Sequence, residues 1–309
     1  MSFEIAPHLR AHIAEIAAAR SGPALSERAA ALTVSYGAGA SSSSVDVAAY
    51  LTVRMPATYA AVAAVFVQIT ALRADFAPQS LLDIGAGPGT ASLAAAAFWP
   101  SLHQFDLVER DPRFAATAAQ LVAGARLSQM PLQNVTGSAD LVVAAYVLAE
   151  LPETEAASAA LKLWAAASDT LVIVEPGTPQ GFARIRRVRE ALLKTGASVL
   201  GPCTHDNPCP VDGADWCHFK VRLARSRAHM QAKGASVPFE DEAFSWVAFA
   251  RTSVQRPRAR IIAPPKQSKV AVELRLCGAA GLATETFASR EKATYKQARK
   301  LKWGDSLDS

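Results

Sequence analysis

The stretch LLDIGAGPGT, residues 81–90, decides the fold. Leu81 to Ile84 read as the end of a short buried strand, and Gly85, Gly87 and Gly89 as a turn that opens a helix at Thr90. Glycines let a backbone approach a ligand closely, and the start of a helix offers free N–H donors. In the next strand, HQFDLVER (103–110), Glu109 follows Gly89 by twenty residues. A carboxylate there can bond both hydroxyls of a ribose. Thr90 breaks the dinucleotide fingerprint, which needs glycine or alanine at that position. Asp83, ahead of the first glycine, suits a ligand bearing a positive ammonium, such as the methionine part of S-adenosylmethionine. The candidate cofactor residues are Asp83, Gly85, Gly87, Gly89 and Glu109, with Tyr146 at the end of a later strand. The bland alternative is a tight turn of an α/β protein that holds no ligand.

Outward from this loop the chain alternates strand and helix. Helices are expected over 90–98, 114–125, 153–167 and 181–194, and strands over 80–86, 103–110, 139–146 and 170–176. Such alternation implies a parallel sheet with helices on both faces. Upstream, 8–35 reads as one or two alanine-rich helices, GAGASSSS (37–44) as a flexible link, and Pro56 as the opening of a helix through about residue 73. Downstream, 201–219 reads as an ordered loop and 220–233 as a basic helix. Strands are expected over 244–251, 269–277 and 282–288, followed by a basic tail at 292–302.

With 309 residues, 50% hydrophobic, the chain can bury one large α/β domain with attachments, or two modest domains, and disorder is excluded. Apolar runs such as LVVAAYVLA (141–149) fall short of the roughly 18 residues of a membrane span, so no membrane partner is expected. MSFEIAPHLRAH lacks a basic segment followed by an apolar core, so no secretory signal is expected and the location reads as cytoplasmic. The net charge of +5 is unevenly spread. Residues 1–175 carry 9 Lys and Arg against 15 Asp and Glu, net −6, whereas 176–309 carry 23 against 12, net +11. A basic C-terminal part points to a polyanionic partner, most simply nucleic acid. Candidate RNA contacts are Arg184, Arg186, Arg187 and Arg189, with Arg222, Arg225 and Arg227. Part of that charge can instead be helix-surface pairing, as at Arg186 and Glu190.

All four cysteines follow a stretch of 202 residues without one: Cys203, Cys209 and Cys217, then Cys277, in the spacing C-x5-C-x7-C-x59-C. Reduced thiols gathered after a long thiol-free stretch point to a shared ligand. No C-x2–4-C zinc knuckle or ferredoxin run is present, so spacing leaves a zinc or Fe–S site open. His205, His218, Asp206, Asp212 and Asp215 are nearby substitute or supporting ligands. Glu240-Asp241-Glu242 reads as a structural or solvated acidic patch, and Glu150 as a cap or surface residue. YVLAELP (146–152) stands where many methyltransferases keep catalytic residues, yet it holds neither their Asn/Asp-Pro-Pro-aromatic tetrapeptide nor a cysteine, so no catalytic residue is assigned.

Several segments resemble the Rsm-type methyltransferase-like family associated with the small ribosomal subunit of bacteria and mitochondria. They are RMPATYAAV (54–62), LLDIGAGPGT, EPGTPQGFARIRRVREALL (175–193), the cysteine loop through VPFEDEAFSWVAFAR (203–251) and YKQARKLKWGD (295–305). The resemblance covers roughly residues 50–305. It implies a class I methyltransferase (Rossmann-like) α/β fold and a role in small-subunit assembly or translation on rRNA. It also implies a [4Fe–4S] cluster whose four ligands fall on Cys203, Cys209, Cys217 and Cys277. The expected organisation is an N-terminal helical region (1–75), an S-adenosylmethionine-binding domain (76–200), and a cysteine-rich, cluster-binding insertion with the last strands and a basic tail (201–309). The activity expected is S-adenosylmethionine-dependent RNA methylation, or rRNA binding without catalysis. A zinc-stapled methyltransferase on another substrate is the third possibility.

Overall fold

The computed structural model describes residues 3–20, 25–37 and 45–308; beyond Gly37 the expected link falls outside them. The chain begins with helices α1 (Pro7–Arg20) and α2 (Leu25–Gly37). Next come α3 (Val47–Ala49), a π-helical turn (Tyr50–Arg54) and α4 (Met55–Leu72), which run on as one helix. Then follow β1 (Ser80–Ile84), α5 (Thr90–Phe98), β2 (Gln104–Val108), α6 (Pro112–Leu121), β3 (Arg126–Ser128) and β4 (Ala139–Ala145). The series continues with α7 (Ala156–Ala166), β5 (Ala167–Pro176), α8 (Pro179–Leu193), β6 (Ser198–Gly201), β7 (Phe219–Ala224), α9 (Arg227–Lys233) and β8 (Phe239–Ala250).

These eight strands form one sheet in the order β3-β2-β1-β4-β5-β8-β6, with β7 also paired to β8. The first five are mutually parallel, and β8 runs antiparallel to β5, β6 and β7. A parallel run closed by one antiparallel strand is the class I methyltransferase sheet that the sequence resemblance implies. β1 and β4 lie at its centre and are apolar on both faces, as a sheet covered by helices on either side requires. α4 and α5 pack in one apolar layer, and α7 and α8 in the other.

Three expectations are corrected. Pro56 does not open its helix; the helix starts nine residues earlier, at Val47. Proline has no N–H to give to the carbonyl four residues back. The preceding turn therefore widens, and the Met55 N–H reaches Tyr50 O instead. The 26-residue helix Val47–Leu72 is also long and apolar enough to cross a membrane, which the sequence reading overlooked. Its apolar character has a local cause: residues on every side of α4, among them Met55, Tyr59, Val62, Val65 and Phe66, are buried in the core.

Residues 219–224 are a strand, not the start of a basic helix. Phe219, Val221 and Leu223 face the core while Lys220 and Arg222 face out, a period of two. Cys277 lies outside the main sheet. It lies on β11 of a second sheet built from β9 (Ala259–Ile261), β10 (Lys266–Gln267), β11 (Ala271–Gly278), β12 (Gly281–Ala288) and β13 (Ser306–Leu307). That sheet has its own core of Ile261, Val272, Leu274 and Leu276, on which α10 (Lys292–Ala298) packs through Tyr295 and Ala298.

Candidate functional site

The glycine loop leaves the C-terminal end of β1 in a left-handed backbone at Gly85, Gly87 and Gly89 (φ 65°, 55° and 83°). Two of these glycines are needed for packing. A Cβ at Gly85 would lie 2.4 Å from Val147, and one at Gly89 would lie 2.5 Å from Val122. Gly87 differs: the nearest atom to its Cβ position is the Tyr50 hydroxyl at 3.8 Å, so its outer face is open. Gly87 donates its N–H to Glu109 Oε2 (2.8 Å), and Glu109 Oε1 accepts from the Asp111 N–H (2.7 Å). Burial raises the Glu109 carboxyl above its ordinary range, against those two N–H bonds.

Asp83 sits behind the loop. Its Oδ2 accepts from both the backbone and the hydroxyl of Ser92 (3.0 and 2.7 Å), which fixes the first turn of α5 to β1. Burial pushes its carboxyl up to about 6, with the Glu109 charge adding to the shift. A pocket opens beside Gly85 and Glu109, with Met130, Leu132, Val147 and Leu151 as its apolar walls and Glu150 at its mouth. The sequence reading did not find these four apolar residues; their only signal is position, in the segments that follow β3 and β4. Glu150 accepts from Arg110 (3.2 Å), and burial raises its carboxyl to about 7.

Tyr146 is placed elsewhere. It is the one non-glycine residue with positive φ (62°) among the described residues. Its hydroxyl donates to Glu242 Oε1 on β8 (3.0 Å), and the Arg54 guanidinium lies 4.5 Å from its ring centre. Arg54 also pairs with both Glu242 oxygens (3.1 and 2.8 Å). Glu242 and Glu240 are thus structural ion-pair partners, the latter held by Lys233 and Arg225. Nearby, Glu175 at the end of β5 is fully buried; Oε1 accepts from the Leu148 N–H (3.0 Å) and Oε2 has no partner.

The second site is the loop between β6 and β7. Cys203, Cys209 and Cys217 from this loop and Cys277 from β11 line one cavity, with Arg189 and Val211 also on its wall. The loop is tied down on several sides. Arg189 donates through one nitrogen to the carbonyls of His205 and Asn207 (both 2.8 Å). Asp206 pairs with Arg256 (2.7 and 2.9 Å), Asp215 with Arg275, and Trp216 Nε1 donates to Gly177 O (2.9 Å). His205 Nε2 lies 3.7 Å from Cys277 Sγ, whereas His218 stacks on Trp216 and points away from this set. Burial raises the thiols of Cys203, Cys217 and Cys277, the last to about 12, and the neighbouring sulfurs add to this. Among the described residues, no three His, Cys, Asp or Glu side chains gather closely enough to hold a single metal ion.

A model of the family described as "Mitochondrial small ribosomal subunit Rsm22" matches residues 44–308. The chain belongs to the Rsm22 family. The human "Ribosome assembly protein METTL17, mitochondrial" is 30% identical over 291 residues, covering 84% of this chain and 61% of that protein. "Rsm22-cox11 tandem protein 2, mitochondrial" of Schizosaccharomyces pombe is 27% identical over 322 residues, covering 84% and 43%. This Rsm22-family chain thus spans less than two thirds of either relative. Among solved structures, magnesium protoporphyrin IX methyltransferase from Synechocystis PCC 6803 with bound SAM is 14% identical, with 62% and 78% of the two chains covered and a TM-score of 0.41. The plantazolicin methyltransferase BpumL in complex with SAH is 11% identical, with 79% and 100% covered and a TM-score of 0.42.

The arginines expected to meet RNA are mostly engaged within this Rsm22-family chain. Arg187 pairs with Glu153 (2.6 Å), Arg186 with Glu190 (3.4 Å), Arg222 with Asp241 (2.7 Å) and Arg225 with Glu240 (3.2 Å). Arg184 reaches the Leu151 carbonyl (3.4 Å). Arg189, only 2% exposed, is a positioning residue of the cysteine loop and is removed from any RNA face. Arg227 is exposed and forms no ion pair among the described residues. The Arg186–Glu190 pair follows from local spacing, but the others depend on tertiary neighbours as far as 34 residues away.

Proposed function

We propose that this chain is an S-adenosylmethionine-binding, methyltransferase-like assembly factor of the small ribosomal subunit that binds rRNA and carries a [4Fe–4S] cluster. The observation that carries the cofactor reading is the open face of Gly87 beside Glu109. Of the three loop glycines, this is the one whose missing side chain leaves room for a ligand rather than for the protein itself. Glu109 offers a carboxylate for ribose hydroxyls, and Met130, Leu132, Val147 and Leu151 offer an apolar slot for a purine. The relatives supply the ribosomal context.

The residues around the cysteines fit an anionic cluster. Arg189 Nε and its second terminal nitrogen are buried with no oxygen or nitrogen acceptor among the described residues, beside the Cys203 sulfur. Arg260, 2% exposed, lies close enough for Cys203 and Cys217 to act on its charge. Arg260 already donates to the carbonyls of Pro202 and Gly304 and to Gln68, so the uncompensated charge is that of Arg189, which thiolates on a metal group would offset. Cys203, Cys209, Cys217 and Cys277 would hold the cluster, and when bound it supplies a four-point link between the β6–β7 loop and the second sheet.

Binding is the primary role in this reading. Methyl transfer from a sulfonium relies on alignment more than on a base, and the Tyr146 hydroxyl is already committed to Glu242. Titration calorimetry with S-adenosylmethionine on the full chain tests the cofactor site. Binding is expected for the wild type, with a loss of about tenfold or more in Glu109→Ala; no heat from the wild type overturns the reading. Anaerobic purification should give a brown protein with about four irons per chain, and a colourless protein with stoichiometric zinc overturns the cluster. Crosslinking in cells should recover small-subunit rRNA.

A further inference from the structure

The positive surface left without acidic partners is not on α8. Lys292, Lys296, Arg299, Lys300 and Lys302 are all exposed, and none forms an ion pair among the described residues. Lys292, Lys296 and Lys300 are spaced four apart, which lines them along one face of α10 and the turn beyond it. The opposite face, Tyr295 and Ala298, is packed on the second sheet. This stripe ends at a set of aromatic rings. Trp216 and His218 stack with centroids 5.1 Å apart at 17°, and His218 meets the Trp303 ring at 4.8 Å and 78°. Lys220 Nζ lies 5.8 Å from the Trp303 ring centre. Lys220, Lys302, Trp303, Phe219 and Trp246 line a common groove between β7 and the C-terminal segment. Trp303 Nε1 is buried there with no hydrogen-bond partner among the described residues.

We propose that this stripe and groove form the surface that holds single-stranded RNA, with phosphates along Lys292, Lys296 and Lys300 and a base against Trp303. The proposal rests on the rRNA reading above and names its contact surface. Unpaired cations beside half-buried aromatic rings match the two requirements of single-strand binding, phosphate neutralisation and base stacking. An acidic peptide would satisfy the cations and leave the rings without a role. A duplex keeps its bases stacked on one another and out of reach of the groove.

The test is fluorescence anisotropy of the full chain with a labelled single-stranded RNA of mixed sequence, titrated at several salt concentrations. Replacing Lys292, Lys296 and Lys300 together by Gln is expected to weaken binding about tenfold or more and to reduce the salt slope by about 2. Trp303→Leu is expected to lose about fivefold or more, with circular dichroism confirming the fold. The paired-arginine control, Arg186→Gln with Arg187→Gln, should stay within about twofold of wild type, because those side chains are held by Glu190 and Glu153. If the wild type binds and the triple-lysine variant binds equally well, the surface assignment is overturned while the rRNA reading stands. If the wild type binds neither this RNA nor isolated small-subunit rRNA, the rRNA reading falls and takes the surface with it. Duplex RNA bound as tightly as single strand, or retention on phosphatidylserine vesicles in place of RNA, also overturns the proposal.

Discussion

Arg54 and Glu242 meet at two points, 2.8 and 3.1 Å, across 188 residues of chain. The pair joins the π-helical turn ahead of α4 to the long antiparallel strand β8, and the Tyr146 hydroxyl adds a third bond to the same carboxylate. The two side chains are 17% and 11% exposed, so removing either leaves a charge in a nearly closed site. Arg54→Met or Glu242→Gln should each cost about 3 kcal/mol, and the double variant less than the sum. Urea unfolding of all four proteins measures this, and simple additivity would show that the pair is not coupled.

The loop glycines should separate by function. Gly85→Ala forces a methyl against Val147 and should lower the melting temperature markedly, with a cost of about 3 kcal/mol. Gly87→Ala meets no close atom and should cost about 1–2 kcal/mol for its left-handed backbone. Its main effect should be weaker S-adenosylmethionine binding. Paired thermal melts and calorimetry check this, and equal losses of stability in the two variants would refute the distinction.

Glu175 gives a pH dependence. Burial raises its carboxyl to about 8, a shift that Arg184 and the nearby N–H groups reduce and Glu150 increases. In the unfolded chain the proton is lost near an ordinary value of about 4.3. Between those two values the folded state binds more protons, so stability should fall as pH rises through the window and level off above about 8. Glu175→Gln has nothing to ionise and should flatten that part of the curve. Melting temperatures of both proteins from about pH 5 to about pH 9 provide the measurement.

Arg189 should control access to the thiols. Its bonds to the carbonyls of His205 and Asn207 fix the loop that carries three of the four cysteines. Arg189→Met leaves those carbonyls without a donor, at a cost of about 2–3 kcal/mol. The cysteines should then react faster with a thiol reagent. Unchanged reactivity would mean that the loop is held by Asp206, Asp215 and Trp216 alone.

Much of the sheet was legible because its strands are short and apolar and end in marked turns; the helix 90–98 and the strand containing Asp83 lie where the pattern places them. What escaped was decided by contacts between distant residues. Lys220 and Arg222 are basic and lie close together, which suggested a helix; only pairing with β8 makes their alternation with Phe219, Val221 and Leu223 visible. Pro56 looked like a helix start because nothing local reveals that a π turn can absorb its missing donor. The pocket beside Gly85 and Glu109 was half visible: glycines and an acid mark the loop, but Met130 and Leu132 carry no signature of their own. The α8 arginines were singled out by count; the spacing showed the Arg186–Glu190 pair on the same helix, but the partner of Arg187, Glu153, sat in another segment.

The position of Cys277 also sets an order of events during synthesis. Every strand of the main sheet precedes residue 250 or ends there, and Cys277 lies on β11, paired to β9 and β12. A growing chain can therefore complete the methyltransferase-like sheet while the fourth thiol is still to be made. Whatever the four sulfurs enclose must be enclosed last, when the C-terminal hairpin arrives. A chain truncated before that hairpin would have a folded sheet and an open three-sulfur loop, so enclosure of the site reports that the β11–β12 hairpin has been made.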